Sequence, residues 1–195
     1  MPQYEIREKV RRAYSAAAQR PNERHPFPVG RGFAQSLGYS DDVLKGIPND
    51  CVDAFSGVSN VPILADIAPS AYVLDLGCGA GLDSLIAARR VGPDGKVIGI
   101  DFSTDMLARA RQGARRAAIG NVVFGRADAE RLPIGDGWVS VALVNGIFNL
   151  NPVRDAIFRE LARVVRTDGA VYSAELILSQ PLPPEYKRSE ADWFA

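Results

Sequence analysis

The chain has 195 residues, 47% hydrophobic and 24% charged, which suits one globular domain with an N-terminal extension and excludes a disordered or fibrous protein. Its 23 Lys and Arg balance its 23 Asp and Glu, so no net field is available to hold a polyanion, and nucleic acid is not expected as a partner. Two cysteines, Cys51 and Cys78, and one histidine, His25, exclude a disulfide framework and a zinc site; without a signal peptide or a bilayer-length apolar run, the expectation is a cytoplasmic protein with no membrane partner.

From the N-terminus, Ile6, Val10, Ala13, Tyr14 and Ala17 recur at helical spacing and predict an amphipathic helix over Tyr4–Ala18. Its arginines Arg7, Arg11 and Arg12 read as a solvated face. Pro21, Pro26, Pro28, Gly30 and Gly32 predict a loop, and short helical pieces punctuated by Gly46, Pro48, Gly57 and Pro62 follow from Ser40 to Ala68. After Pro69 the pattern becomes regular. Tyr72–Leu76 predicts a buried strand that runs into Gly77-Cys78-Gly79-Ala80-Gly81 and then a helix through Leu82, Leu85 and Ile86, capped at Gly92.

Lys96–Asp101 predicts a second strand, after which Ser103 caps a helix carrying Met106, Leu107, Ala110 and Ala114 and closed by Gly120. Val122–Phe124 predicts a third strand, Val139–Val144 a fourth and Ala170–Leu176 a fifth. A helix begins at Asn151-Pro152 and ends at Thr167-Asp168-Gly169. Alternating strands and helices predict an α/β fold with a doubly wound, mostly parallel sheet. The divisions expected are an N-terminal helical cap over 1–62, a core over 63–178 and a tail over 179–195.

In such sheets ligands bind beyond the carboxyl ends of the strands, here Asp75 with its glycine loop, Asp101, Asp128 and Asn145. The glycines let backbone approach a ligand closely, and a carboxylate ending the second strand is suited to accept hydrogen bonds from both hydroxyls of a ribose. A dinucleotide fingerprint needs a small residue at position 82, which is Leu82. Asp75 stands two residues before the first glycine, where it can meet a cationic ammonium rather than a pyrophosphate.

Val73-Leu74-Asp75-Leu76-Gly77-Cys78-Gly79-Ala80-Gly81 and Val97-Ile98-Gly99-Ile100-Asp101 resemble the first motif and the ribose-binding strand of the class I S-adenosylmethionine-dependent methyltransferases, a resemblance spanning about Ile63–Leu176. It implies a Rossmann-like fold and S-adenosylmethionine as cofactor. By it Asp75, Cys78 and the glycines Gly77, Gly79 and Gly81 belong to the cofactor loop, the glycines lining methionine and ribose. Asp101 holds the ribose, Phe102, Ser103 and Met106 flank the adenosine, Asp128 with Ala129 meets the adenine amino group, and Asn145 faces the sulfonium. Sheet order 3-2-1-4-5-7-6 is implied, of which the last two strands find no room after Leu176. The fifth strand is then an edge, open to pairing in a homodimer.

Asn145-Gly146-Ile147-Phe148-Asn149-Leu150 and the upstream Leu37-Gly38-Tyr39, Ile47-Pro48 and Gly57-Val58-Ser59-Asn60 resemble the arsenite methyltransferase group. Two positions where that group holds arsenic through cysteines fall at Val58 and Gly146 here, and Val61 separates Asn60 from Pro62. Arsenic is therefore not the expected acceptor. The function expected is methyl transfer to a small molecule. The alternatives are a cofactor-binding protein without catalysis or a truncated methyltransferase domain, and a nicotinamide enzyme comes third. No motif assigns a catalytic base; Tyr14, His25 and Asn145 are the side chains to examine.

Overall fold

The structure, a computed structural model, describes residues 3–180, so the tail beyond that, with Trp193 and Phe194, lies outside the described residues. An N-terminal helix α1 (Gln3–Gln19) is followed by four short helices, α2 (Arg31–Ser36), α3 (Asp41–Lys45), α4 (Asn49–Val52) and α5 (Val61–Leu64). The regular part then runs β1 (Tyr72–Leu76), α6 (Leu82–Val91), β2 (Lys96–Asp101), α7 (Thr104–Arg116), β3 (Val122–Arg126) and β4 (Val139–Asn145). A 3-10 turn (Phe148–Leu150), α8 (Arg154–Val164) and β5 (Val165–Ala174) complete it. All strand pairs are parallel, in the order β3-β2-β1-β4-β5. The doubly wound α/β fold is the one expected, and among the described residues β5 pairs only with β4.

Strand alternation divides the core. Val73, Val97, Val141 and Leu143 face one side, under α6 and the short helices, and Leu74, Leu76, Ala142 and Val144 face the other, under Ile157, Leu161 and Val164 of α8. Leu74, Val97, Leu143 and Ile157 are fully buried, each worth about 1.5–3 kcal/mol of apolar burial.

Three helix boundaries differ from the sequence reading, and the fifth strand runs Val165–Ala174 rather than Ala170–Leu176. Helix α7 stops before Gly120: Ala118 takes the left-handed position at φ 52, and Ile119 N and Ala118 N donate back to Ala114 O and Arg115 O at 3.0 and 3.1 Å. Helix α8 ends at Val164, not at Thr167-Asp168-Gly169, because β5 already pairs at Val165 opposite Val139. The next pair is Val141 with Ala170, so residues 166–169 form a bulge inside the strand. At the other end α8 starts at Arg154, after a 3-10 turn the periodicity did not show, and Asn151 Oδ1 accepts from Val153 N at 2.8 Å.

Candidate cofactor site

A cavity of about 1050 Å³, counted with its open mouth, lies beyond the carboxyl ends of β1, β2 and β4 and against α1. Its position is where the strand order turns back between β1 and β4, as expected for an open α/β sheet.

The glycine loop forms one wall. Gly79 has φ 51 and nothing within 4 Å of where a Cβ would stand, so its backbone meets the cavity unscreened. Asp101, at the end of β2, fixes this loop: its Oδ2 accepts from Gly79 N at 2.9 Å and its Oδ1 from Ser103 N at 2.7 Å. With these backbone donors in place the carboxylate still has acceptor capacity left. Burial pushes the Asp101 carboxyl up to about 6, opposed by the backbone bonds from Ser103, Gly79 and Phe102.

The second wall is a buried acidic pair. Alternation places Asp75 and Asn145 on the α6 side of the sheet, and the first turn of α6 brings Asp83 and Ser84 to the same place. Ser84 Oγ donates to Asp75, while Asp83 accepts from Tyr39 Oη at 2.6 Å and from Asn145 Nδ2 at 2.8 Å. Burial pushes the carboxyl pKa of both Asp75 and Asp83 up, and Asp83's charge raises that of Asp75 further. Loss of water around two adjacent carboxyls makes this wall attractive to a cation, which would relieve both effects. The Tyr39 hydroxyl, buried against Asp83, keeps its proton well above its ordinary range.

Asn145 has all four of its hydrogen-bonding positions in use. Besides Asp83, Nδ2 donates to Ser59 O at 2.8 Å, and Oδ1 accepts from Val58 N and Ser59 N at 2.8 and 3.2 Å. Gly57 is required beside it, since a methyl there would overlap the Asn145 amide. The residue lines the cavity but works by tying the 57–60 segment to the end of β4, which removes it from the candidate bases.

Helix α1 supplies the remaining wall through Arg7, Val10 and Tyr14. Arg7 is not merely a solvated charge: its Nη2 donates to Asp128 Oδ1 at 2.6 Å and lies 3.5 Å from Glu130 Oε2. Tyr14 stacks on Phe27 with ring centroids 4.5 Å apart and is hydrogen-bonded to Ser56. Burial first, then the charges of Asp101 and Glu175, hold its hydroxyl protonated well beyond the usual tyrosine range. It is therefore a hydrogen-bond donor, not a base. His25 bonds Arg20 O at 2.9 Å and stands outside the cavity.

Of the cofactor-binding residues expected from sequence, Asp75, Gly77, Cys78, Gly79, Asp101, Phe102, Met106, Asp128, Ala129 and Asn145 line this one cavity. Two do not. Gly81 sits behind the loop as the N-cap of α6, where a Cβ would stand 2.9 Å from Ala110 Cβ, so its role is helix packing. Ser103 is turned into the chain, capping Met106 N at 3.3 Å and meeting Ser15 Oγ at 3.1 Å. Buried Cys78 keeps its thiol proton, first through desolvation. Sequence reasoning passed over Asp83, Tyr39 and Arg7, whose importance comes from partners remote in the chain. The spacing of Asp83 eight residues after Asp75 was the one signal that could have found it.

An open glycine backbone, a ribose-competent carboxylate and a buried acidic pair suit the hydroxyls and the ammonium of S-adenosylmethionine. Residues 67–194 match the model of a methyltransferase domain family. The arsenite methyltransferase of Halobacterium salinarum is 36% identical over 152 residues, 78% of this chain and 39% of that protein. The demethylmenaquinone methyltransferase of Lactococcus lactis is 34% identical over 117 residues, 60% of this chain and 46% of that protein. The chain thus spans less than half the length of either relative. Among solved structures, an arsenic(III) S-adenosylmethionine methyltransferase from Chlamydomonas reinhardtii shares the fold, with TM-score 0.61 and 24% identity over 80% of this chain and 52% of that one. A SAM dependent methyltransferase from Aquifex aeolicus gives TM-score 0.51 at 25% identity, covering 62% and 65%. Every strand and each strand-end acid falls inside the matched span, and the chain belongs to the methyltransferase domain family in its class I, S-adenosylmethionine-dependent form.

Proposed function

We propose that this chain carries a methyl group from S-adenosylmethionine to a small-molecule acceptor by in-line displacement. The observation that carries the reading is the convergence of Gly79, Asp101 and the Asp75–Asp83 pair on one cavity. Bound there, the cofactor supplies an activated sulfonium methyl, and the protein's task is alignment and exclusion of water. Asp101 receives the ribose hydroxyls, Asp75 and Asp83 face the ammonium, and Phe102, Met106, Asp128 and Ala129 surround the adenine. Tyr14 and Ser56 offer hydroxyls from the opposite side, and α1 closes the cavity over the cofactor.

Arsenic is not proposed as the acceptor. Val58 and Gly146 do come together, with Val58 Cγ1 3.1 Å from where a Gly146 Cβ would stand, but neither offers a thiolate. Calorimetry with S-adenosylmethionine and with its demethylated product tests the binding reading, and a methyl-acceptor screen tests transfer. Tight binding with no acceptor would favour the reading of a non-catalytic cofactor binder, which the protonated Tyr14 and the saturated Asn145 support, since neither of these two cavity side chains is a free base. Absence of cofactor binding would overturn both.

The reading extends to a cap over 1–62, a core over 63–178 and a cytoplasmic setting without nucleic acid. Among the described residues no helix is long and apolar enough to cross a membrane. Val171 at 44% exposed and Leu176 at 50% lie on or just beyond β5, the edge expected to pair in a homodimer. Analytical ultracentrifugation reading a monomer at micromolar concentration would remove that part.

A further inference from the structure

One carboxylate stands outside the cavity yet is bonded into its wall. Glu175, the first residue after β5, accepts from Ile147 N at 2.8 Å and from Phe148 N at 3.0 Å, both through Oε1. Its other oxygen, Oε2, is buried with no hydrogen-bond partner among the described residues. Gly146 N donates to Ala174 O at 2.9 Å and Asn149 Nδ2 to Leu176 O, so the turn after β4 is tied along its length to the end of β5. The Ile147 side chain then lies over the first glycine of the cofactor loop, where a methyl on Gly77 would overlap its Cγ2.

A buried carboxylate oxygen without a partner is a cost, and stability alone is better served by a residue that leaves none. A carboxylate gripping two successive amides defines the turn more tightly than one neutral bond, because charge-assisted bonds are the stronger ones. Backbone pairing with β5 stops at Gly146; beyond it the turn is tied to the end of β5 by side chains, Asn149 on Leu176 O and Glu175, and of these Glu175 is the one bonded to Ile147 itself.

We propose that Glu175 is a positioning residue for the amino-acid end of the cofactor, acting through the Ile147–Phe148 turn to hold Ile147 against Gly77. The inference rests on the reading of Gly77 as the methionine side of the S-adenosylmethionine site. It acts on ligand parts differently: an adenosine moiety bound by Asp101 and Asp128 does not depend on the turn, whereas the amino-acid end does.

The test is calorimetry on the full chain with two ligands, S-adenosylmethionine and 5′-methylthioadenosine, which keeps the adenosine and sulfur and lacks the amino-acid end. For Glu175→Ala the expected result is roughly tenfold weaker S-adenosylmethionine binding, with methylthioadenosine within about twofold of the parent. Glu175→Gln, whose amide oxygen still accepts from both amides, should recover most of the loss. Ile147→Ala, which keeps the grip of Glu175 and removes what it positions, should show the same ligand split if Glu175→Ala does not fold. Equal weakening of both ligands, or no change in either, overturns the proposal. Failure of the unsubstituted chain to bind either ligand overturns the cofactor reading beneath it, and that failure shows before any variant is compared.

Discussion

The two sides of the cavity are built by opposite rules. At the ends of β1 and β2 the polar groups are held by the backbone and keep capacity to spare: Asp101 fixes Gly79 and Ser103 and can still accept, and Gly79 faces open space. At the ends of β4 and β5 the polar side chains are consumed by one another and by the chain: Asn145 spends every position on Val58, Ser59 and Asp83, and Glu175 holds the turn beyond it. The first side is made to receive a ligand and the second to hold a shape.

If that contrast is right, the largest loss of cofactor binding comes from the receptive side. Asp101→Asn keeps the shape of the side chain but gives up the charge that accepts the backbone donors and, in the proposed reading, the ribose hydroxyls, and S-adenosylmethionine affinity should fall by about 100-fold in calorimetry. The pH dependence has a definite sign. With the folded carboxyl raised to about 6, protonation on acidification removes acceptors, so affinity should fall as pH drops from 8 to 5. In the unliganded chain the sign is reversed: the folded state holds an extra proton between the ordinary carboxylate range and pH 6, so Asp101's contribution to stability declines as pH rises through that window. Asp101→Asn should flatten its share of both curves. An affinity that does not change between pH 8 and 5 would break the assignment of this side as the charged receptor.

The shaped side should answer in stability. Asn145→Ala leaves Val58 N, Ser59 N and the Asp83 carboxylate each short of a partner around a small hole, at a cost of about 2–4 kcal/mol, read as a lowered midpoint in denaturant. Tyr39→Phe removes one bond to Asp83 and should cost less, about 1–2 kcal/mol. If Asn145→Ala instead kept full stability and lost only turnover, Asn145 would belong to the receptive side and the contrast would be misdrawn.

The same contrast explains what could be seen from sequence. Every strand, the glycine loop and the strand-end acids follow from local rules: alternation sets which face a residue takes, and a short glycine run sets where backbone is exposed. Asp83, Tyr39 and Glu175 obey no such rule. Each matters through a partner far along the chain, as with Tyr39 and Asp83, 44 residues apart. The misplaced end of α8 has the same origin. Thr167-Asp168-Gly169 has turn chemistry, and it does turn, but as a bulge within β5 opposite Ser140, a choice made by pairing with β4 that no local pattern records. Ala118 taking the left-handed position two residues before Gly120 shows the converse, a backbone bond pattern strong enough to impose the unfavourable region on a residue with a Cβ.

The smallest predicted effect concerns the wall that belongs to neither side. Helix α1 is joined to the rim by the pair of Arg7 with Asp128, whose side chains are 39% and 60% exposed. Ion pairs that wet are worth about 0–1 kcal/mol and are screened by salt, so Arg7→Ala should weaken S-adenosylmethionine binding by no more than about fivefold at low ionic strength and hardly at all at 0.5 M salt. Removing residues 1–30 should do far more, because it strips the buried apolar seam of Ile6, Val10, Ala17 and Ala18 as well as the charge. A cap held by apolar contact and only tuned by charge gives that ordering in both salts. Were Arg7→Ala to match the deletion, the guanidinium itself would be a receptor group, one that meets the adenine together with Asp128, and the receptive side would extend across the cavity onto α1.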